Sequence, residues 1–402
     1  MNIGIITVCL LLVGILFYLP VYQFIVLDTD GKQLTGTAAI AMNREFVNTC
    51  AGRLTDEKIC ADIAAYQALF HDPENVSKDT TKKTLTDRAY FKYILPYSDY
   101  WKLINGNYID PCAYDSSFSA VINMDLENGI DFYSARDKKI STLLNQVYED
   151  WNFSDSEKAF WLDRISTVTI PYEYGYHTGW EMLFSCLELF VIGMIGICIC
   201  VSGTFSGEYQ SGADSIILSS RYGKSKLLTA KILAAFAYSF FLFTLFLLVG
   251  CGILLAGFGM DGWELPVQVL NTISPYDLSL AGAAVTAVGT LYLILAGMVS
   301  FTLLLSAKMR SAVSVLVIIV LAFMLPMFIG ISETNGIWNR IFVLLPYRAA
   351  QTVFSDDFYG YFGYPIGGLT FDVVTVRMLL YAAVTLICVP FARKAWKGHQ
   401  VV

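Results

Sequence analysis

Six long apolar stretches, separated by polar segments, set the pattern of this chain. A helix needs about 20 consecutive apolar residues to cross a bilayer core. Stretches of that order run from Ile3 to Val26, Gly179 to Gly203, Lys231 to Met260, Leu278 to Ala307, Ser311 to Ser332 and Phe371 to Ala392. The second carries Glu181 and Glu188, and the sixth carries Asp372 and Arg377 near one end. From that position Arg377 is expected to snorkel to the headgroups. The pattern predicts an all-α polytopic membrane protein with six transmembrane helices. Residues 1–26 form the first span, 27–178 a separate domain, and 179–402 a five-helix membrane domain.

Residues 27–178 are long enough to bury a core of their own. Thr55-Asp56-Glu57 opens a helix with Ile59, Ile63, Tyr66 and Phe70 at three- and four-residue steps. A second helix places Ile140, Leu144, Val147 and Trp151 on one face. Ser154 and Glu157 form a capping box ahead of Phe160, Trp161 and Ile165. The domain is therefore expected to be mainly helical. Its many aromatics either pack that small core or offer a surface to a peptide or carbohydrate.

Charge gives the orientation. Arg221, Lys224 and Lys226 lie between spans two and three, Lys308 and Arg310 between four and five, and Arg393, Lys394 and Lys397 after six. The other side of the short loops has only Arg340, Arg348 and Arg377. By the positive-inside rule both termini are cytoplasmic, the protein is a multi-pass plasma-membrane protein, and the 27–178 domain is extracytoplasmic. No Lys or Arg precedes the first span, and the nearest small-x-small site, Ala39-Ile40-Ala41, is far downstream. The first span is thus read as retained.

From Asp28 to Glu173 the chain has 15 Lys/Arg and 23 Asp/Glu, a net of −8, so the overall −7 comes from that domain. No basic block could track a phosphate backbone, which argues against nucleic acid. The nine cysteines form no metal pattern. Cys50 and Cys60 are close enough in sequence to pair if their domain is outside. Gly223-Lys224-Ser225 resembles the tail of a phosphate-binding loop, but Leu218 stands where that loop needs Gly. The chain is therefore expected to bind no cofactor and to have no ATPase or other enzymatic site. His71, His177 and His399 stand isolated and receive no catalytic role.

Two features remain as candidate sites. Glu188 lies seven residues beyond Glu181, about 10 Å deeper at the helical rise and on nearly the same face. A charge at mid-bilayer costs about 2.5–3.5 kcal/mol, so Glu188 either lines a translocation path or pairs within the bundle. Between spans two and three, in the loop 204–227, Phe205, Tyr209, Ala213, Ile216 and Ile217 share one helical stripe. An amphipathic helix at the membrane edge can offer its polar side to a soluble partner.

Glu208, Gly212, the stretch Ile216-Ile217-Leu218-Ser219-Ser220-Arg221 and then Lys231 resemble the first cytoplasmic loop of type-2 ATP-binding-cassette (ABC) permeases. Leu344-Leu345-Pro346-Tyr347 is similar to that family's apolar-Pro segment. The family's Thr-Leu and Pro are replaced here by Ala213-Asp214 and Ser219-Ser220. The resemblance implies a coupling helix seated in a separate ATPase subunit, with Phe205, Glu208, Tyr209, Gly212, Ile216, Arg221 and Lys231 as the docking set. It also implies a re-entrant outer loop over 333–372, two ATPase copies that use the ATP, and a second permease chain, identical or not. The expected function is the membrane subunit of an exporter of a peptide, drug or lipid-like substrate. The alternative is a membrane sensor, ATPase-coupled or ATPase-free, whose outer domain binds a ligand without transport.

Overall fold

The structure is a computed structural model that describes residues 2–77, 85–111, 118–127, 129–147, 152–328, 336–351 and 360–399. Five helices are long and apolar enough to cross a membrane: Asn2–Gln23, Thr178–Ser211, Lys226–Phe258, Leu280–Lys308 and Val373–Gly398. The remaining expected span is shorter. Its α-helix runs over Ala312–Met324 and tightens into a 3-10 turn at Leu325–Phe328. Pro326 explains the change, because proline lacks the N–H that continues the α ladder and restricts the residue before it. The rest of the expected stretch, to Ser332, lies outside the described residues.

Small residues let the spans approach closely. The first span buries Cys9, Val13, Phe17 and Val21, one side chain per turn, and turns Ile3, Leu11 and Ile15 outward. A β-carbon on Gly196 would meet the Cys9 Sγ at 2.4 Å, and one on Gly257 would meet Val21 at 2.7 Å. Lipid tails are as apolar as leucine, so such close packing, rather than a hydrophobic drive, holds membrane helices together. Gly297 plays the same part between the fourth and last long helices, against the Tyr381 ring at 2.6 Å.

The described residues of the polar segments 27–177, 259–279 and 336–372 gather at one end of the bundle. The Thr55 cap accepts from the Lys58 N–H, and Ile59, Ile63, Tyr66 and Phe70 are all buried, as their spacing predicts. The Ser154–Glu157 capping box is present. The helix beginning at Phe132 stops at Asn145, so Val147 projects beyond it, 82% exposed, while Ile140 and Leu144 are buried. Trp151 lies outside the described residues. Gly52–Arg53 pairs antiparallel with Glu173–Tyr174 and ties the start of this domain to its end.

Cys50 and Cys60 are free thiols, so the disulfide considered from their spacing is absent. Cys50 closes the helix Gly36–Thr49 and faces Lys58, Asp62 and Tyr97. Cys60 sits in the helix Asp56–Ala68 and faces Tyr108 instead. Burial pushes the Cys50 thiol up to about 11, with Lys58 opposing, which keeps it a poor thiolate.

Candidate functional site

The end of the bundle opposite the polar domain is where the sequence places its strongest motif. Helix Gly203–Ser211 ends at Gly212, whose φ of +69° is left-handed backbone that glycine adopts without strain. A second short helix, Ala213–Ser219, starts from that turn. The single stripe expected over Phe205–Ile217 is therefore broken in phase. Phe205 is fully buried, whereas Ile216 is 75% exposed.

The residues of the motif divide into two groups. Phe205, Glu208, Tyr209 and Lys231 turn into the protein. The Lys231 ammonium pairs with the Glu208 carboxylate and donates to the Thr204 carbonyl at 3.1 Å. It also lies 5.7 Å from the ring centres of Phe205 and Trp396, a placement that favours a cation. Tyr209 stacks between Trp396 and His399, with ring centres 5.4 and 4.1 Å away, and its hydroxyl donates to the Ala307 carbonyl at 3.0 Å. Ser306 Oγ accepts from the backbone N–H groups of Phe205 and Ser206, each at 3.0 Å. Ile216 and Arg221 turn outward, and Gly212 forms the exposed corner between the two groups.

The last helix clamps this loop. The Trp396 indole N–H donates to the Gly223 carbonyl at 3.2 Å, Arg393 donates to Thr229 Oγ1 at 3.0 Å, and His399 Nε2 meets the Asp214 carboxylate at 3.2 Å. Gly223 is itself pressed against the second short helix. A β-carbon there would meet the Ile217 carbonyl oxygen at 1.7 Å. Sequence reasoning missed Trp396 and His399, which lie more than 160 residues from their partners; the Lys and Arg beside them point to no such partners.

Glu188 sits in a 3-10 turn, Leu187–Leu189, that interrupts the second long helix between Thr178–Cys186 and Phe190–Val201. This turn packs against the short helix Pro346–Gln351, which follows the Leu344-Leu345 pair. Among the described residues the Glu188 carboxylate is half-exposed and has no ion pair or hydrogen bond.

At the polar end, the loop between the fifth and sixth spans is built into the domain. Its described part holds the helices Ile337–Phe342 and Pro346–Gln351, then the hairpin Gly363–Ile366 with Leu369–Asp372. Arg340 pairs with Glu157 at 3.1 Å, with both side chains nearly inaccessible. Arg164 pairs with Asp372 at 2.7 Å and lies 4.3 Å over the Tyr276 ring. Arg377 does not snorkel. It is fully buried and donates to the Val343 carbonyl at 3.1 Å, while Tyr381 donates to the Leu344 carbonyl at 2.9 Å. The Val343 carbonyl, at the C-cap of the helix Ile337–Phe342, accepts from the guanidinium and holds it inside the protein.

Long apolar helices, a polar domain at one end and a braced pair of short helices at the other define a multi-pass membrane protein of the permease class. Residues 3–396 match the family described as "ABC-2 family transporter protein", and the chain belongs to that family. It is a transport membrane subunit rather than a catalytic enzyme in its own right. No curated protein and no solved structure matches the chain.

Proposed function

We propose that the chain is the membrane-spanning subunit of an ABC exporter that moves a peptide, drug or lipid-like substrate and draws its energy from two copies of a separate ATPase subunit. The N- and C-termini and the loop 203–225 face the cytoplasm. The polar domain is extracytoplasmic, and a second permease chain completes the assembly. One observation supports this reading above the others: Ile216, a large apolar side chain, stands exposed on a short helix that buried Leu218 and the His399–Asp214 contact hold fixed from behind. An apolar residue so placed suits insertion into a cleft of a soluble partner, and a rigid mounting can pass a push onward to the spans.

On this reading the docking set divides by role. Ile216 and Arg221 touch the ATPase, while Phe205, Glu208, Tyr209 and Lys231 brace the helix and carry its displacement into the third and last spans. Gly212 sets the angle between them. Glu188 lines the translocation path, a role supported by a carboxylate without partner at the break in the second span.

The test is co-purification of the tagged chain from its native membrane. Wild type is expected to bring down an ABC ATPase. Ile216→Asp is expected to lose it while keeping the thermal stability of wild type. A chain that purifies without any ATPase, unchanged by Ile216→Asp, overturns the exporter reading. Glu188→Gln is expected to lower transport with the ATPase still attached. Full transport in that variant removes Glu188 from the path.

A further inference from the structure

A cavity of about 310 Å³ opens where the polar domain meets the bundle, at the lower end of the size range of small-molecule sites. Its walls come from several separate parts of the chain. The helix Ser98–Gly106 gives Asp99 and Lys102, the start of the second long helix gives His177 and Glu181, and the loop after Leu270 gives Asn271 and Thr272. No element of the transport reading uses these residues.

The cavity's charges balance in number, Asp99 and Glu181 against Lys102 and Lys139, but its hydrogen bonds do not. At the rim Lys102 is held by Asp99 at 2.8 Å, and Lys139 donates to the Gly106 carbonyl at 2.5 Å. Deeper in, the Glu181 carboxylate has neither an ion pair nor a hydrogen bond among the described residues. His177 is only 6% exposed. Its Nδ1 lies 2.8 Å from the Gly175 carbonyl, which can only accept, so Nδ1 carries the proton and Nε2 keeps its lone pair. That Nε2 also lacks a partner. The ring of Tyr174, edge-on to His177 at 5.5 Å, supplies an aromatic wall.

A carboxylate and a lone pair in one small cavity, each without a hydrogen-bond donor among the described residues although the Lys102 charge acts on Glu181 through space, suit a ligand rich in N–H. A metal ion does not fit, because no cluster of three His, Cys, Asp or Glu ligands forms among the described residues. We propose that this cavity binds a primary ammonium group, with the Glu181 carboxylate and His177 Nε2 accepting two of its N–H bonds. Such a group can arrive on a soluble amine or on the ethanolamine headgroup of a phospholipid, since Glu181 stands in the first turn of a membrane span.

The test uses the full chain in phosphatidylcholine nanodiscs and reads thermal unfolding against ethanolamine. Choline, which has no N–H, and ethylene glycol, which has no charge, serve as controls. Ethanolamine is expected to give a saturable rise in midpoint that both controls lack. Glu181→Gln and His177→Gln are each expected to weaken the response at least tenfold; if one variant does not fold, the other still decides. Nanodiscs containing phosphatidylethanolamine separate the two sources. A raised baseline with no further effect of ethanolamine assigns the site to the headgroup, and an unchanged baseline assigns it to a soluble amine. The proposal is overturned if no saturable rise appears with either source, or if both variants respond as wild type does. Because the readout needs no ATPase, neither result depends on the exporter reading.

Discussion

The indole N–H of Trp396 donates to the backbone carbonyl of Gly223, so the final turn of the last helix is fastened to the tip of a loop 173 residues earlier in the chain. The same ring is fully buried and stacks on Tyr209. Trp396→Ala is expected to destabilise the protein by about 3–5 kcal/mol, the usual cost of emptying a large buried aromatic site. Gly223→Ala should do comparable harm by a different route, because its new methyl would overlap the Ile217 carbonyl. Thermal unfolding of both variants in nanodiscs checks this. Wild-type midpoints would mean that the clamp holds nothing.

Glu208 and Lys231 bring two adjacent segments together through one partly buried ion pair. Removing either partner strands the other, so Glu208→Ala and Lys231→Ala should each cost about 1.5–3 kcal/mol, the range for hydrogen bonds to charged groups. The double substitution should cost less than the sum of the singles. A double-mutant cycle on unfolding measures the difference, and strict additivity would show that the pair is decorative.

Glu157 and Arg340 are a sharper case, since neither side chain reaches water appreciably. Breaking a buried pair by deleting one member costs about 3–5 kcal/mol because a charge is left uncompensated. Arg340→Ala should therefore loosen the polar domain, seen as accelerated proteolysis of residues 155–166. Glu157→Gln combined with Arg340→Met is expected to recover much of that loss.

His177 gives the polar domain a pH dependence of known sign. Burial pulls its pKa below the ordinary 6.5, opposed by the Gly175 carbonyl and the negative charge of Asp99. Glu181, Lys102, Lys139 and the Tyr174 ring also face it across the cavity. The unfolded chain takes up the proton first as pH falls. The stability tied to neutral His177 is thus complete above about 6.5 and is lost as pH drops through the lower folded value. Unfolding midpoints between pH 7.5 and 5 should fall, and His177→Gln should flatten part of that slope. An identical slope in the variant would place the sensitivity elsewhere.

The spans were legible because the bilayer allows so little: a run of about 20 apolar residues has few other uses in water. Helix starts in the polar domain were legible for a local reason, since a cap such as Ser154 and its Glu157 lie within one turn. What the sequence hid was long-range or depended on phase. Glu157 has its second partner 183 residues away in Arg340, and no local pattern points there. The stripe joining Phe205, Tyr209 and Ile216 assumed one continuous helix. The left-handed turn at Gly212 rotates the later residues, so the first two look inward and the third outward. Arg377 misled for the opposite reason: its position near a span end suits headgroups, but the Val343 carbonyl of the preceding loop reaches it first.

The polar domain takes its last buried charges from Arg340 and Asp372, which the ribosome delivers long after residues 27–177 have been made. Glu157 and Arg164 therefore wait without their counterions while the four intervening apolar helices are inserted. Domain completion is thus tied to the end of synthesis, and a chain truncated before residue 340 carries this domain in an unfinished form.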